Sequence, residues 1–110
     1  MGHEYGRLGA VRPDAGDTEY ELYQVPAGTS AVVNLSICNV ADYSISIRVA
    51  RTTDSHSAYT WDWLLYDTEV SANDGYQPFT GLSMGPSETL RVSCNVADVC
   101  VFIADGLEIS

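Results

Sequence analysis

Alternation at a period of two constrains this chain more than any other feature. Val33, Leu35 and Ile37 alternate with Asn34 and Ser36, and Tyr43, Ile45, Ile47 and Val49 alternate with Ser44, Ser46 and Arg48. Successive side chains of a strand point to opposite faces, so each run can bury one face and wet the other. No ten-residue window carries an apolar stripe at the helical period, and β-branched, aromatic and serine residues dominate from Tyr20 onward. The chain reads as all-β.

Turn chemistry divides the strands. A first strand at 20–25 ends at Pro26-Ala27-Gly28, where proline second and glycine fourth suit a type I turn. The polar run 51–59 reads as a loop. After it Trp61, Trp63 and Leu65 alternate with Asp62, Leu64 and Tyr66, so large side chains stand on both faces. One such face belongs to the core, and the other meets a neighbouring subunit or lies within the sheet's own packing. Residues 76–84 carry Pro78 and Gly81, marks of an edge or a bulge. Leu90, Val92 and Cys94 form a further inward set, continued by Val99, Val101 and Ile103. Seven or eight strands at this spacing predict a two-sheet antiparallel sandwich, Ig-like or jelly-roll. At 110 residues the chain has room for one domain. Residues 1–18, with four glycines and a proline, read as an extended N-terminal arm, and 19–110 as the β-sandwich domain.

The pentapeptide Cys-Asn-Val-Ala-Asp occurs twice, at 38–42 and 94–98. Residues flanking a four-residue hairpin loop face the same side of the sheet. Leu90, Val92 and Cys94 keep that phase into Val99, Val101 and Ile103, which predicts a tight hairpin at 95–98. At the first copy the phase slips between Ile37 and Tyr43, which predicts a bulge or a crossing between sheets. Cys94 is expected in the core and Cys38 on the opposite face. Asn and Asp favour these turns through side-chain bonds to nearby backbone, and each copy offers too few carboxylates for calcium.

Fifteen acids stand against five arginines and no lysine, a formal charge of -10. Such a surface repels phosphate backbones and anionic membranes, so neither nucleic acid nor membrane is an expected partner. No apolar run approaches a membrane span, and the N-terminus lacks the basic-then-apolar pattern of a signal peptide, so the chain is expected to stay where it is made. Cys38, Cys94 and Cys100 are odd in number and lack metal-ligand spacing, which points to reduced thiols and no zinc. Asp54, Ser55 and His56 adjoin in one loop, whereas a triad converges from separate elements. Asp62 and Asp67 are too far apart along one strand for a glycosidase pair, and His3 is solitary. No catalytic residue, metal or cofactor is expected. With no lysine to guard its edges, the sandwich is as readily expected to cover them with an arm or a neighbouring copy as with acids and Pro78.

The run Leu22-Tyr23-Gln24-Val25-Pro26-Ala27-Gly28-Thr29, the alternating strand after it and the ending Ile37-Cys38-Asn39 resemble small β-sandwich virion proteins of tailed bacteriophages. Thr80-Gly81-Leu82 and the stretch 85–92 sit where similar chains have a second turn and strand, so the resemblance covers roughly residues 20–104. It implies a structural virion component: a capsid decoration or cement protein, or else a tail, collar or receptor-binding module. The N-terminal segment departs from the simplest members. In the decorating reading the partners are the major capsid protein and copies of this chain, as a homo-oligomer such as a trimer, on the capsid surface. Expected contacts are Tyr5, Arg7, Leu8, Val11 and Arg12, with Trp61 and Trp63 as anchors, because aromatic and arginine side chains dominate interface energies. A small carbohydrate- or calcium-binding lectin domain is the alternative from another class.

Overall fold

A computed structural model describes residues 3–53, 58 and 62–109, with side chains from residue 6 onward. Eight strands form two antiparallel sheets of four. They are β1 (His3–Val11), β2 (Tyr20–Gln24), β3 (Ser30–Asn39), β4 (Ile45–Thr53), β5 (Trp63–Val70), β6 (Gly75–Met84), β7 (Glu88–Cys94) and β8 (Cys100–Ile109). One sheet has the order β1-β8-β3-β6 and the other β2-β7-β4-β5. Only β4 and β5 follow one another within a sheet; every other connection between described strands passes from one sheet to the other.

The core lies between the sheets. Val33, Leu35 and Ile37 from β3 meet Ile45, Ile47 and Val49 from β4, Leu90, Val92 and Cys94 from β7, and Cys100, Phe102 and Ala104 from β8. The period-two runs of β3 and β4 bury the faces their alternation predicts. Tyr43 does not join them: it precedes β4 and is exposed.

Three expectations are corrected. Residues 3–11 are extended but do not leave the sandwich: β1 pairs with β8 from His3↔Ile109 to Val11↔Phe102 and forms a sheet edge. Leu8 and Val11 pack on the core. Four glycines and a proline among residues 1–18 read as an arm, yet one half-buried face suffices for an edge strand. The second correction concerns β8, whose inward set is Cys100, Phe102 and Ala104 rather than Val99, Val101 and Ile103. Residues 95–99 therefore make no hairpin; they carry the chain from β7 in one sheet to β8 in the other. Phase alone could not decide this, because β8 is apolar at consecutive positions. The third concerns Pro26, which opens its turn instead of standing second: Thr29 N–H donates to Pro26 C=O at 3.1 Å, with Gly28 third at φ 75°. That position demands the left-handed conformation, which glycine adopts without steric cost.

The first pentapeptide copy is a sheet crossing, from β3 to β4. Its Asn39 is fully buried. The side-chain Nδ2 donates to the carbonyls of Tyr43, Ser71 and Val70 at 2.9, 3.1 and 3.2 Å, and Oδ1 accepts from Ala41 N–H at 2.9 Å. In the second copy Asn95 is exposed and its Oδ1 accepts from Ser46 N–H at 3.0 Å. The same letters thus pin two crossings from opposite sides. Cys94 is buried and Cys38 exposed, as expected.

Candidate interaction surfaces

The outer faces of the two sheets differ in chemistry. On the β2-β7-β4-β5 sheet, Arg48 of β4 stands opposite a bulge in β5, since Ile47 pairs with Thr68 and Val49 with Leu65. Asp67 in that bulge takes a left-handed φ of 53°. The bulge places two β5 residues against one β4 residue, so Tyr66 and Asp67 both reach Arg48. Arg48 Nε and Nη2 donate to the Asp67 carboxylate at 2.6 and 3.2 Å. The guanidinium lies 4.0 Å from the Tyr66 ring centroid and 5.9 Å from that of Trp63. Trp63 and Tyr66 meet edge to face, 5.2 Å apart. Hydrogen bonding to Arg48 holds the Asp67 carboxyl below its usual range and raises Arg48 in turn. Tyr66 remains 55% exposed. The result is a prearranged aromatic and charged cluster with an open ring.

At the far side of this sheet Glu19 accepts from Arg91 Nε at 2.8 Å and from Ala58 N–H at 3.1 Å. Ala58 belongs to the β4–β5 connection, while Glu19 immediately precedes β2 at the other edge. That bond ties Ala58 to the residue before β2. Ala50, fully buried yet outside the core between the sheets, stands in register with Trp63 on one side and Arg91 on the other.

The outer face of the β1-β8-β3-β6 sheet carries more apolar side chains, set among Asn34, Ser36 and Asp105. Its central strand β8 turns Cys100, Phe102 and Ala104 inward, which leaves Val101, Ile103, Leu107 and Ile109 half-exposed on the other side, with Asp105 between the two apolar pairs. Val32 of β3, opposite Leu107, is exposed beside them. A shallow groove of about 310 Å³ opens at one end, lined by Ser36, Cys38, Tyr76, Gln77, Val101 and Ile103 among others. An antiparallel sheet with one solvated face normally alternates apolar-in with polar-out, and β8 breaks that rule.

The expected contact residues scatter. Arg7 and Arg12 are exposed, and Arg12 lies 3.9 Å from Asp98. Leu8 and Val11 are partly buried and pack against the protein's own core. Tyr5 stands opposite Leu107 in the β1–β8 ladder. Trp63 joins the Arg48 cluster. Trp61, together with Asp54, Ser55, His56 and Tyr59, lies outside the described residues. Sequence reasoning missed the outward row of β8, Val32, Arg48 and Tyr66. The signal for the first was present in the consecutive apolar letters of residues 99–103. Nothing local marked Arg48 and Tyr66, which a bulge brings together. No family model, curated protein or solved structure matches the chain.

Proposed function

We propose that this chain is a structural virion protein that decorates and stabilises a phage capsid. It docks on the shell through the outer face of the β1-β8-β3-β6 sheet. The observation that carries the reading is the four apolar residues in the outward row of β8, two on either side of Asp105 and flanked by Val32, on a protein whose net charge is -10. Apolar side chains gathered on an otherwise charged surface mark a protein contact. The strand orders 1-8-3-6 and 2-7-4-5 support a jelly roll over an Ig-like sandwich, an architecture that viral capsid and lectin domains use. The likeness of residues 20–104 to small phage virion proteins points the same way. Acidic charge keeps the protein off packaged nucleic acid and leaves the major capsid protein and further copies of itself, as a trimer, for partners. Arg7 and Arg12 lie on or beside edge strand β1 and extend the docking face.

The test uses shells assembled without this protein. Adding the native chain raises the temperature at which they burst, and Ile103→Glu abolishes both binding and protection. The isolated variant keeps its Tm within about 4 °C, because residue 103 is half-exposed. Unchanged shell stability with the native chain overturns the proposal.

A second reading is a tail, collar or receptor-binding module that contacts glycans, and the Trp63–Tyr66–Arg48–Asp67 cluster favours it. Open aromatic rings stack on sugars while fixed charges bind hydroxyls. Copy counting by mass spectrometry separates the readings: hundreds per particle for decoration, a dozen or fewer for a tail or collar. Glycan-array binding lost on chelation would instead favour a calcium-dependent lectin.

A further inference from the structure

β6 is the open edge of its sheet, and it begins at an exposed Asp74-Gly75 dipeptide. Asn39 N–H donates to Asp74 C=O at 2.9 Å, and the next pair along the ladder is Cys38 with Gly75. Antiparallel pairs alternate between hydrogen-bonded and open, so Gly75 stands at an open pair and its N–H points away from β3, off the edge of the sheet. There it donates to the Asp74 carboxylate, whose Oδ1 lies 2.9 Å from the Gly75 nitrogen. Among the described residues no other group holds that carboxylate. Residue 75 has no side chain to keep the two groups apart, and Asn73, at a left-handed φ of 54°, turns the chain just before them. An amide nitrogen is thus held in solvent against the carboxyl group of the residue before it. The same dipeptide recurs at Asp105-Gly106 in the middle of β8, where Gly106 is buried and paired with Gly6 of β1 on one side and Val33 of β3 on the other. That copy is locked between two ladders.

We propose that Asp74-Gly75 is a self-modification site, at which the folded protein closes a succinimide and opens it to isoaspartate. In the first step the Gly75 nitrogen bonds to the side-chain carboxyl carbon of Asp74, and the amide proton leaves with the carboxyl hydroxyl as water. In the second step water adds to one of the two ring carbonyls and the C–N bond at that carbonyl breaks. Opening at the side-chain carbonyl restores aspartate. Opening at the backbone carbonyl leaves the chain running through the former side chain, longer by one methylene, with the free carboxylate now borne directly on Cα. One water is lost and one regained, and no other reactant is consumed. Gly75 lines the shallow groove beside Cys38 and Tyr76, so the rearranged backbone and its displaced carboxylate reshape that end of the groove. The added methylene also enters where Asn39 N–H meets Asp74 C=O, the bond that starts the β3–β6 ladder.

The experiment incubates the full native chain in mildly acidic buffer at physiological temperature, where a protonated carboxyl supplies the leaving hydroxyl, with a parallel sample in urea. Isoaspartate is detected by isoaspartate-specific enzymatic methylation and located by a peptide map with a protease that cuts before aspartate but not before isoaspartate. In the folded protein isoaspartate accumulates at 74, through an intermediate lighter by one water, and stays at background at 105. In urea, where the ladders are gone, the two sites react within about threefold of each other. Gly75→Ala, whose methyl would meet only the Ile37 carbonyl oxygen at 3.9 Å, keeps the native Tm and slows the reaction at 74 by roughly tenfold. Absence of isoaspartate at 74 in the folded chain overturns the proposal, as does equal accumulation at 105 or an unchanged rate in Gly75→Ala. A preference for 74 that persists in urea overturns it too, because its cause would then lie in the flanking residues and not in the fold. If Gly75→Ala fails to fold, the comparison of 74 with 105 in the native chain decides alone.

Discussion

Asn39 meets five backbone groups at two neighbouring crossings: its side chain serves Ala41 and Tyr43 between β3 and β4 and Val70 and Ser71 after β5, and its own N–H donates to Asp74 C=O at 2.9 Å. Replacing it with alanine removes four side-chain bonds, of which those to Val70 C=O and Ala41 N–H are buried. Asn39→Ala is expected to cost about 2–4 kcal/mol in urea denaturation. Asn95→Ala, which removes an exposed side chain with one backbone bond to Ser46, should cost about 1 kcal/mol or less. Equal losses would show that the two pentapeptides do the same work. Tyr23 is the second residue with a measurable signature. Its hydroxyl donates to the Glu108 carboxylate across the sheets, and burial together with that bond raises its pKa above 10.0, the ordinary value. The folded state then keeps a proton that the unfolded chain releases above pH 10, so the contribution is full below that pH and fades as pH rises. Stability should fall more steeply between about pH 10 and 11 in the native protein than in Tyr23→Phe, by up to about 1 kcal/mol over that interval. Parallel curves would sink the assignment.

Each edge strand, β1, β2, β5 and β6, pairs with an irregular register, whereas the two central ladders, β3–β8 and β4–β7, run without a shift. Bulges twist an edge away from flat pairing, so they guard a sandwich that has no lysine to do so. This weakens the argument that neighbouring copies must cover the edges, and leaves the case for a partner resting on the apolar side chains in the outer face of the β1-β8-β3-β6 sheet. The bulges of β1 and β2 also bring two edges together. A Cβ on Gly9 would meet the Leu22 carbonyl oxygen at 2.1 Å. Gly9→Ala must therefore push β1 from β2, at a cost of about 1–3 kcal/mol, read from thermal unfolding. A neutral result would mean that β1 is free to lift from the sheet as an arm.

The whole molecule carries fifteen acids and five arginines, and its described ion pairs use Arg12, Arg48 and Arg91. Net repulsion opposes the compact state, and salt screens it. Raising sodium chloride from about 0.02 to 0.5 M should raise the Tm by a few degrees, which differential scanning calorimetry would resolve. A falling Tm would show that the ion pairs outweigh the repulsion.

The all-β class, the strands from residue 20 onward and the faces of β3, β4 and β7 were legible from the letters, because a period of two is a local property of each run. Cys94 inward and Cys38 outward followed from the same phase. The phase of β8 was not legible: Val101 and Ile103 match the pattern as well as Cys100, Phe102 and Ala104 do, and only packing against the opposite sheet selects among them. Whether 95–98 turns back or crosses over was likewise hidden, since a turn recipe specifies local backbone and not the sheet its next strand joins. The pairing of residues 3–11 with β8 and the bulge that gathers Arg48, Tyr66 and Asp67 both join residues whose contact depends on register. By itself the sequence determined the all-β class, the strands from residue 20 onward and the charge they carry. The tertiary structure decided which strands are neighbours, because sheet order is fixed by burying one shared core, a quantity no single segment holds.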